Sequence, residues 1–221
     1  MDLWHALNRG VEKRNIFLDT QDYARFAHDM YEFNDTAPAQ EFSRRNVGPR
    51  RSHIKNRIVD IHGWCLMRNH YHLLLSEITE GGISKFLMRL NVGYAKYFNT
   101  KYERNGYVFS GKTKKILIEN DAQFNYILHY IHLNPLDYLK GNEGWRVRDK
   151  GKNIRSVRET LDYLKEYRWS SYPDYIGEQN FPSILTTSLF GEASGEYKKT
   201  IERYLKGAEN KEPETDFLNL E

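Results

Sequence analysis

Ile58-Val59-Asp60-Ile61-His62-Gly63-Trp64-Cys65-Leu66-Met67-Arg68-Asn69-His70-Tyr71-His72-Leu73-Leu74-Leu75-Ser76-Glu77 is the stretch on which the fold turns. Two strand-like runs, Ile58 to Met67 and Tyr71 to Glu77, flank the tight Arg68-Asn69 connection and are expected to pair as an antiparallel hairpin. Leu73-Leu74-Leu75 is apolar on both faces, so its strand should be central and covered on both sides for part of its length. Residues two apart on a strand share a face. His70 and His72 therefore present their rings together, with Leu74 and Ser76 beyond, while Tyr71 points the other way.

Working outward, Leu3 to Asn8 reads as a short strand ending in the turn signal Asn8-Arg9-Gly10. Asp19 opens an amphipathic helix with Tyr23, Phe26, Ala27 and Met30 at helical spacing, fading near Asn34. After Gly81-Gly82 a helix carries Ile83, Phe86, Leu87, Leu90, Tyr94 and Phe98 on one stripe, until Asn105-Gly106 stops it. Tyr107 to Phe109 and Lys114 to Glu119 read as strands around Ser110-Gly111. Asn120 is a good N-cap with Gln123 three residues on, and its helix runs toward Pro135, which puts Asn134 at or near the last turn. Leu161 to Tyr167 and Tyr197 to Leu205 are shorter helices, and Lys211 to Glu221 is an acidic tail.

The order strand, helix, hairpin, helix, strand, helix suits an α+β fold of the ferredoxin-like kind: an antiparallel sheet with helices mainly on one face, plus a small C-terminal helical extension. Residues 1–176 are expected to form one catalytic domain and residues 177–221 the extension with its tail. Two basic stretches, 37–57 and 141–158, read as insertions; Arg44, Arg45, Arg50, Arg51, Lys55 and Arg57 face a single acid, Glu41, in the first. Such a stretch suits either a solvated loop or contact with a phosphate backbone.

A chain of 221 residues can bury a substantial core without staples. The single cysteine, Cys65, precludes an intrachain disulfide and sits in an apolar run, as core packing would have it. Met1-Asp2-Leu3-Trp4-His5 lacks a basic leader, and no segment approaches about 18 uninterrupted apolar residues. The expected location is the cytoplasm, with no membrane partner. The net charge of +3 is mild in sum, but the middle of the chain is basic and the tail acidic.

Two imidazoles at the spacing of His70 and His72 can hold one divalent cation while leaving positions open for a further protein ligand and for substrate oxygens. On the helix after Asn120, Phe124, Ile127, Leu128 and Ile131 define a core face at about 100° per residue. Tyr130 and Asn134 lie together on one flank, His129 and His132 on the other, and Tyr126 one turn earlier on the Tyr130 edge is a rival nucleophile. A phenol with its ordinary pKa near 10 is a poor nucleophile at neutral pH unless a metal polarises the phosphate it attacks. Attack by tyrosine would give a covalent phosphotyrosine that conserves the bond energy for a second transesterification. Asn134, through its carbonyl oxygen, would join His70 and His72 as a ligand.

These residues resemble those of the single-tyrosine HUH transposases, and within them the REP-associated tyrosine transposases. The resemblance runs through His5-Ala6-Leu7-Asn8-Arg9-Gly10, Asn15-Ile16-Phe17 and Asp22-Tyr23, then Arg68-Asn69-His70-Tyr71-His72-Leu73-Leu74-Leu75. It continues through Ser110-Gly111-Lys112 with Lys114, Tyr130-Ile131-His132-Leu133-Asn134-Pro135, Trp169-Ser170-Ser171-Tyr172 and Leu189-Phe190-Gly191. It implies a ferredoxin-like fold and an enzyme, a DNA strand transferase that acts on single-stranded DNA beside a hairpin through a 5′-phosphotyrosine, with Mg²⁺ or Mn²⁺. Carried over by residue, the metal ligands fall on His70, His72 and Asn134 and the nucleophile on Tyr130, which settles Tyr130 over Tyr126. Arg68 stands where the family commonly has proline, which bears on target sequence and hairpin docking.

Single-stranded DNA binding needs cations along a groove and aromatic faces for stacking. Arg9, Arg68, Lys112, Lys114 and Lys115 are the candidate phosphate contacts, with Phe109 and Tyr107 for stacking. Family members differ in oligomeric state, so a homodimer and a monomer both fit. Two other functions compete: a domesticated, non-catalytic hairpin-DNA-binding protein, and a metal-dependent hydrolase in which water replaces Tyr130.

Overall fold

The computed structural model describes residues 1–37, 56–142, 145, 156–190 and 194–207. Most of both basic stretches and the acidic tail lie outside the described residues.

A four-stranded antiparallel sheet in the order β2-β3-β1-β4 is built from β1 (Leu3–Arg9), β2 (Val59–Met67), β3 (His70–Glu77) and β4 (Lys114–Leu117). Helix α1 (Thr20–Glu32) joins β1 to β2, and α2 (Gly82–Lys101) joins β3 to β4, each crossing over one intervening strand. This is the α+β, ferredoxin-like arrangement that the hairpin implied. Beyond it come α3 (Asp121–Leu133), α4 (Val157–Glu166), α5 (Tyr172–Tyr175) and α6 (Ser194–Leu205).

Local chemistry sets the element ends. Asp19 caps α1 by accepting from the Asp22 amide while the Asp22 carboxylate accepts from the Asp19 amide. Asn120 caps α3 by accepting from the Gln123 amide at 2.9 Å. Gly82 is required at the start of α2: a Cβ there would lie 2.4 Å from the Ile58 carbonyl oxygen.

The strand alternation divides the core in two. Tyr71, Leu73 and Leu75 of β3 pack with Ala6, Trp64 and Leu66 against Phe26 and Met30 of α1 and Phe86, Leu90 and Tyr94 of α2. Leu74, with Leu3, Cys65 and Met67, packs on the opposite face against Ile127, Leu128 and Ile131 of α3, and Tyr172, Tyr197 and Ile201 close this layer. The helices therefore do not lie mainly on one face. The physical reason is the Leu73-Leu74-Leu75 run itself, whose two apolar sides both need cover, and α3 and the C-terminal helices supply the second. Tyr107 to Phe109 is not a strand either. Only Phe109 pairs, in a single bridge to Gly10, because Gly106 and Gly111 turn the chain on both sides at φ of 92° and 112°.

Gly63 brings α3 close, since a Cβ there would meet the Leu128 side chain at 2.7 Å. A register shift between Ile61 and Gly63 sits beside this contact. Buried His132 ties the second layer together, its Nε2 bonded to Ser171 Oγ at 2.7 Å and its Nδ1 to the Tyr197 hydroxyl at 2.6 Å.

Burial pushes His132 well below the ordinary imidazole pKa and pushes His5 down to about 3. Both are neutral in the fold and take up protons when the chain unfolds, so stability is lost as pH falls below about 6.5. At about 1.4 kcal/mol per pH unit, His5 removes about 2 kcal/mol by pH 5, and His132 acts in the same direction. Urea unfolding at pH 7.5, 6 and 5 should show the midpoint dropping steadily; a midpoint constant over that range contradicts the assignment.

Candidate active site

The antiparallel register of β1 with β3 sets Arg9 opposite His70, Leu7 opposite His72 and His5 opposite Leu74. His5, Arg9, His70 and His72 consequently share the face that α3 covers, while Tyr71 on the other face bonds Asn91 Oδ1 at 2.8 Å. The His70 and His72 rings stand 4.8 Å apart, nearly perpendicular. His5 stacks on His72 at 5.2 Å, and their facing nitrogens, His5 Nε2 and His72 Nδ1, are 2.9 Å apart. His70 Nδ1 is 2.6 Å from Asn69 Oδ1.

Helix α3 brings Tyr130 to this cluster. Its ring meets His72 edge-on at 5.7 Å and 89°, and His5 at 6.0 Å and 78°. Asn134, the buried C-cap residue of α3, donates from Nδ2 to the Tyr130 carbonyl at 2.8 Å. Tyr126, one turn earlier, lies 6.0 Å from both the Tyr130 ring and the Tyr204 ring of α6. Tyr130 is fully buried, and Trp145 forms part of its cover: the two rings lie 6.0 Å apart, and the indole donates to Asp137 Oδ1 at 2.7 Å.

Among the described residues no group of three or more His, Cys, Asp or Glu side chains is placed to hold a metal ion. The candidate donors His70, His72 and the Asn134 amide oxygen are of the chemical kind that a divalent cation takes together with substrate oxygens.

The basic candidates divide. Arg9 ends β1 directly beside His70, its Nε buried with no hydrogen-bond partner among the described residues. Arg68 is in the hairpin turn, its guanidinium 4.7 Å over the Tyr138 ring and its backbone N–H donating to the Tyr138 hydroxyl at 2.7 Å. Lys112 is exposed in the loop before β4, and Lys114 is exposed opposite Leu7 on the histidine face. Lys115 falls on the opposite face, where its Nζ donates to Ser84 of α2 at 2.9 Å. The alternation of β4 separates it from the cluster.

Three residues beside the cluster were not among the sequence candidates: His5, Asn69 and Trp145. For His5 the sequence offers only the alternation of Leu3, His5, Leu7 and Arg9 on one strand face; that this strand lies beside the histidine strand is a long-range pairing. Asn69 enters the sequence reading as a hairpin-turn residue and within the transposase-like Arg68-Asn69-His70-Tyr71-His72 motif, with no chemical role, and Trp145 lies in a stretch that reads as an insertion.

Residues 50–134 match the model of the family described as "Transposase IS200 like". The matched segment contains β2, β3, α2, β4 and α3 and ends at Asn134. No curated protein matches the chain. Among solved structures, that of the REP-associated tyrosine transposase bound to a REP hairpin is similar, with a TM-score of 0.48 and 14% identity, over 88% of this chain and 90% of that one.

Proposed function

On the premise that residues 50–134 are an IS200-like transposase segment, we propose that the chain is a metal-dependent single-stranded DNA transesterase of the REP-associated kind. It cleaves and rejoins DNA beside hairpins through a 5′-phosphotyrosine. The observation that carries this reading is the edge-on packing of Tyr130 against His72, which puts one phenol beside the paired imidazoles.

In the forward step Tyr130 Oη bonds to the scissile phosphorus, the phenolic proton leaves, the P–O3′ bond breaks, and the 3′ oxygen departs as a hydroxyl. The reverse step uses a 3′ hydroxyl to release Tyr130. A divalent cation, Mg²⁺ or Mn²⁺, held by His70, His72 and Asn134 would polarise the phosphate and offset charge developing on it. Packing of Tyr130 between the histidines and Trp145 restricts its ring, so little rotational freedom is lost when it attacks. Arg9, with its buried Nε beside His70, suits a phosphate oxygen next to the scissile one.

The test is a 5′-phosphate-retaining adduct: protein, Mn²⁺ and single-stranded oligonucleotides carrying palindromic hairpins with single-stranded flanks, resolved on a denaturing gel. A covalent protein-DNA band supports the reading. Free DNA alone, with both Mg²⁺ and Mn²⁺, refutes it.

Binding itself should be steeply salt-dependent. With Arg9, Arg68, Lys112 and Lys114 each neutralising a phosphate, log K is expected to fall against log[salt] with a slope of about −3 on single strands. The double substitution Lys112→Ala and Lys114→Ala should reduce the slope by about 1.4; an unchanged slope removes both lysines from the DNA path.

A further inference from the structure

The hydrogen bonds behind the two histidines carry more than their positions. The Lys13 carbonyl can only accept, and Asn69 Nδ2 donates to it at 3.2 Å, which turns Asn69 Oδ1 toward His70. Since that oxygen also can only accept, the proton of the 2.6 Å contact sits on His70 Nδ1. Neutral His70 then carries its lone pair on Nε2.

His72 differs in that its partner is a second imidazole, whose facing nitrogen can donate or accept, so metal binding at Nε2 is what selects the proton position. Its Nδ1 faces His5 Nε2 at 2.9 Å in a fully buried stack, with ring planes 14° apart. A ligand bound through His72 Nε2 requires the proton on Nδ1, and His5 Nε2 is then its acceptor.

We propose that His5 and Asn69 are positioning residues that hold His72 and His70 in the tautomer presenting Nε2 to a divalent cation. This rests on the reading of the site as a metal-dependent transesterase. Neither residue is assigned as a metal ligand or as the nucleophile. Each acts by accepting the Nδ1 proton and fixing the ring: Asn69 from the hairpin turn, anchored to Lys13, and His5 from the neighbouring strand, anchored by its stacking on His72.

The test measures Mn²⁺ affinity directly, by calorimetry or by the paramagnetic signal of free Mn²⁺, without DNA. His5→Leu and Asn69→Ala should each weaken Mn²⁺ binding by about 10- to 100-fold. His5→Gln, whose amide oxygen can replace Nε2 as acceptor, should restore binding close to wild type, which a purely structural role for His5 does not require. Asn69 lies in the hairpin turn, so its variant tests the idea even where a His5 variant folds poorly. Long-range ¹H–¹⁵N spectra of the wild type in Mg²⁺ should show the proton on Nδ1 of both His70 and His72. Folded His5→Leu and Asn69→Ala that bind Mn²⁺ as tightly as wild type overturn this proposal and leave the transesterase reading standing. Absence of Mn²⁺ binding in the wild type overturns the metal reading, and the proposal with it.

Discussion

Tyr130→Phe is expected to eliminate the covalent protein-DNA adduct, a loss on the order of 10⁴-fold or more in the rate of strand cleavage. The substitution deletes one oxygen and keeps the ring, so the edge contacts with His72 and His5 and the packing under Trp145 persist. A chemical-denaturation midpoint close to wild type would show that the loss is chemical. Tyr126→Phe is the matched control: its ring lies 6.0 Å from both the Tyr130 and the Tyr204 rings, and loss of its hydroxyl alone should leave the adduct undiminished. If water were the nucleophile, Tyr130→Phe would cleave hairpin-flanked DNA at nearly the wild-type rate, and that result sinks the tyrosine mechanism.

Much of this arrangement is legible in the chain because it is local. The hairpin follows from two strand-like runs and a two-residue connection, the start of α3 from Asn120 with Gln123, and its end from Pro135 behind Asn134. A period of two places His70 with His72, and a helical turn places Tyr130 with Asn134. What is hidden depends on pairing between distant strands. The site face of β4 is fixed only by its register on β1, and a shift of one residue would exchange Lys114 for Lys115. His5 joins the cluster through the pairing of Leu7 with His72, which no short-range pattern announces. The cover on the second face has the same origin. A C-terminal helix such as α6 shows its apolar stripe in sequence, but the docking of Tyr197 on His132 is a contact across 65 residues.

Stripping divalent ions should separate two properties that the fold combines. With EDTA present, adduct formation is expected to fall by at least about 10³-fold, the equivalent of several kcal/mol of charge stabilisation at the phosphate. Hairpin binding measured in the same buffer should change little, because it draws on Arg9, Arg68, Lys112 and Lys114 rather than on His70 and His72. Added Mn²⁺ in excess of the chelator should restore cleavage. A domesticated binding protein behaves differently: it holds the hairpin with or without metal and gives no adduct under any divalent ion. The residues argue against that alternative on physical grounds. Two imidazoles on one strand face, a buried asparagine that donates to the Tyr130 carbonyl and a phenol against His72 are costly to bury together, and an apolar set of similar volume would pack the same layer without that cost. Adduct at the wild-type level in EDTA would instead mean that Tyr130 attacks unaided, and His70 and His72 would then lose their assigned role.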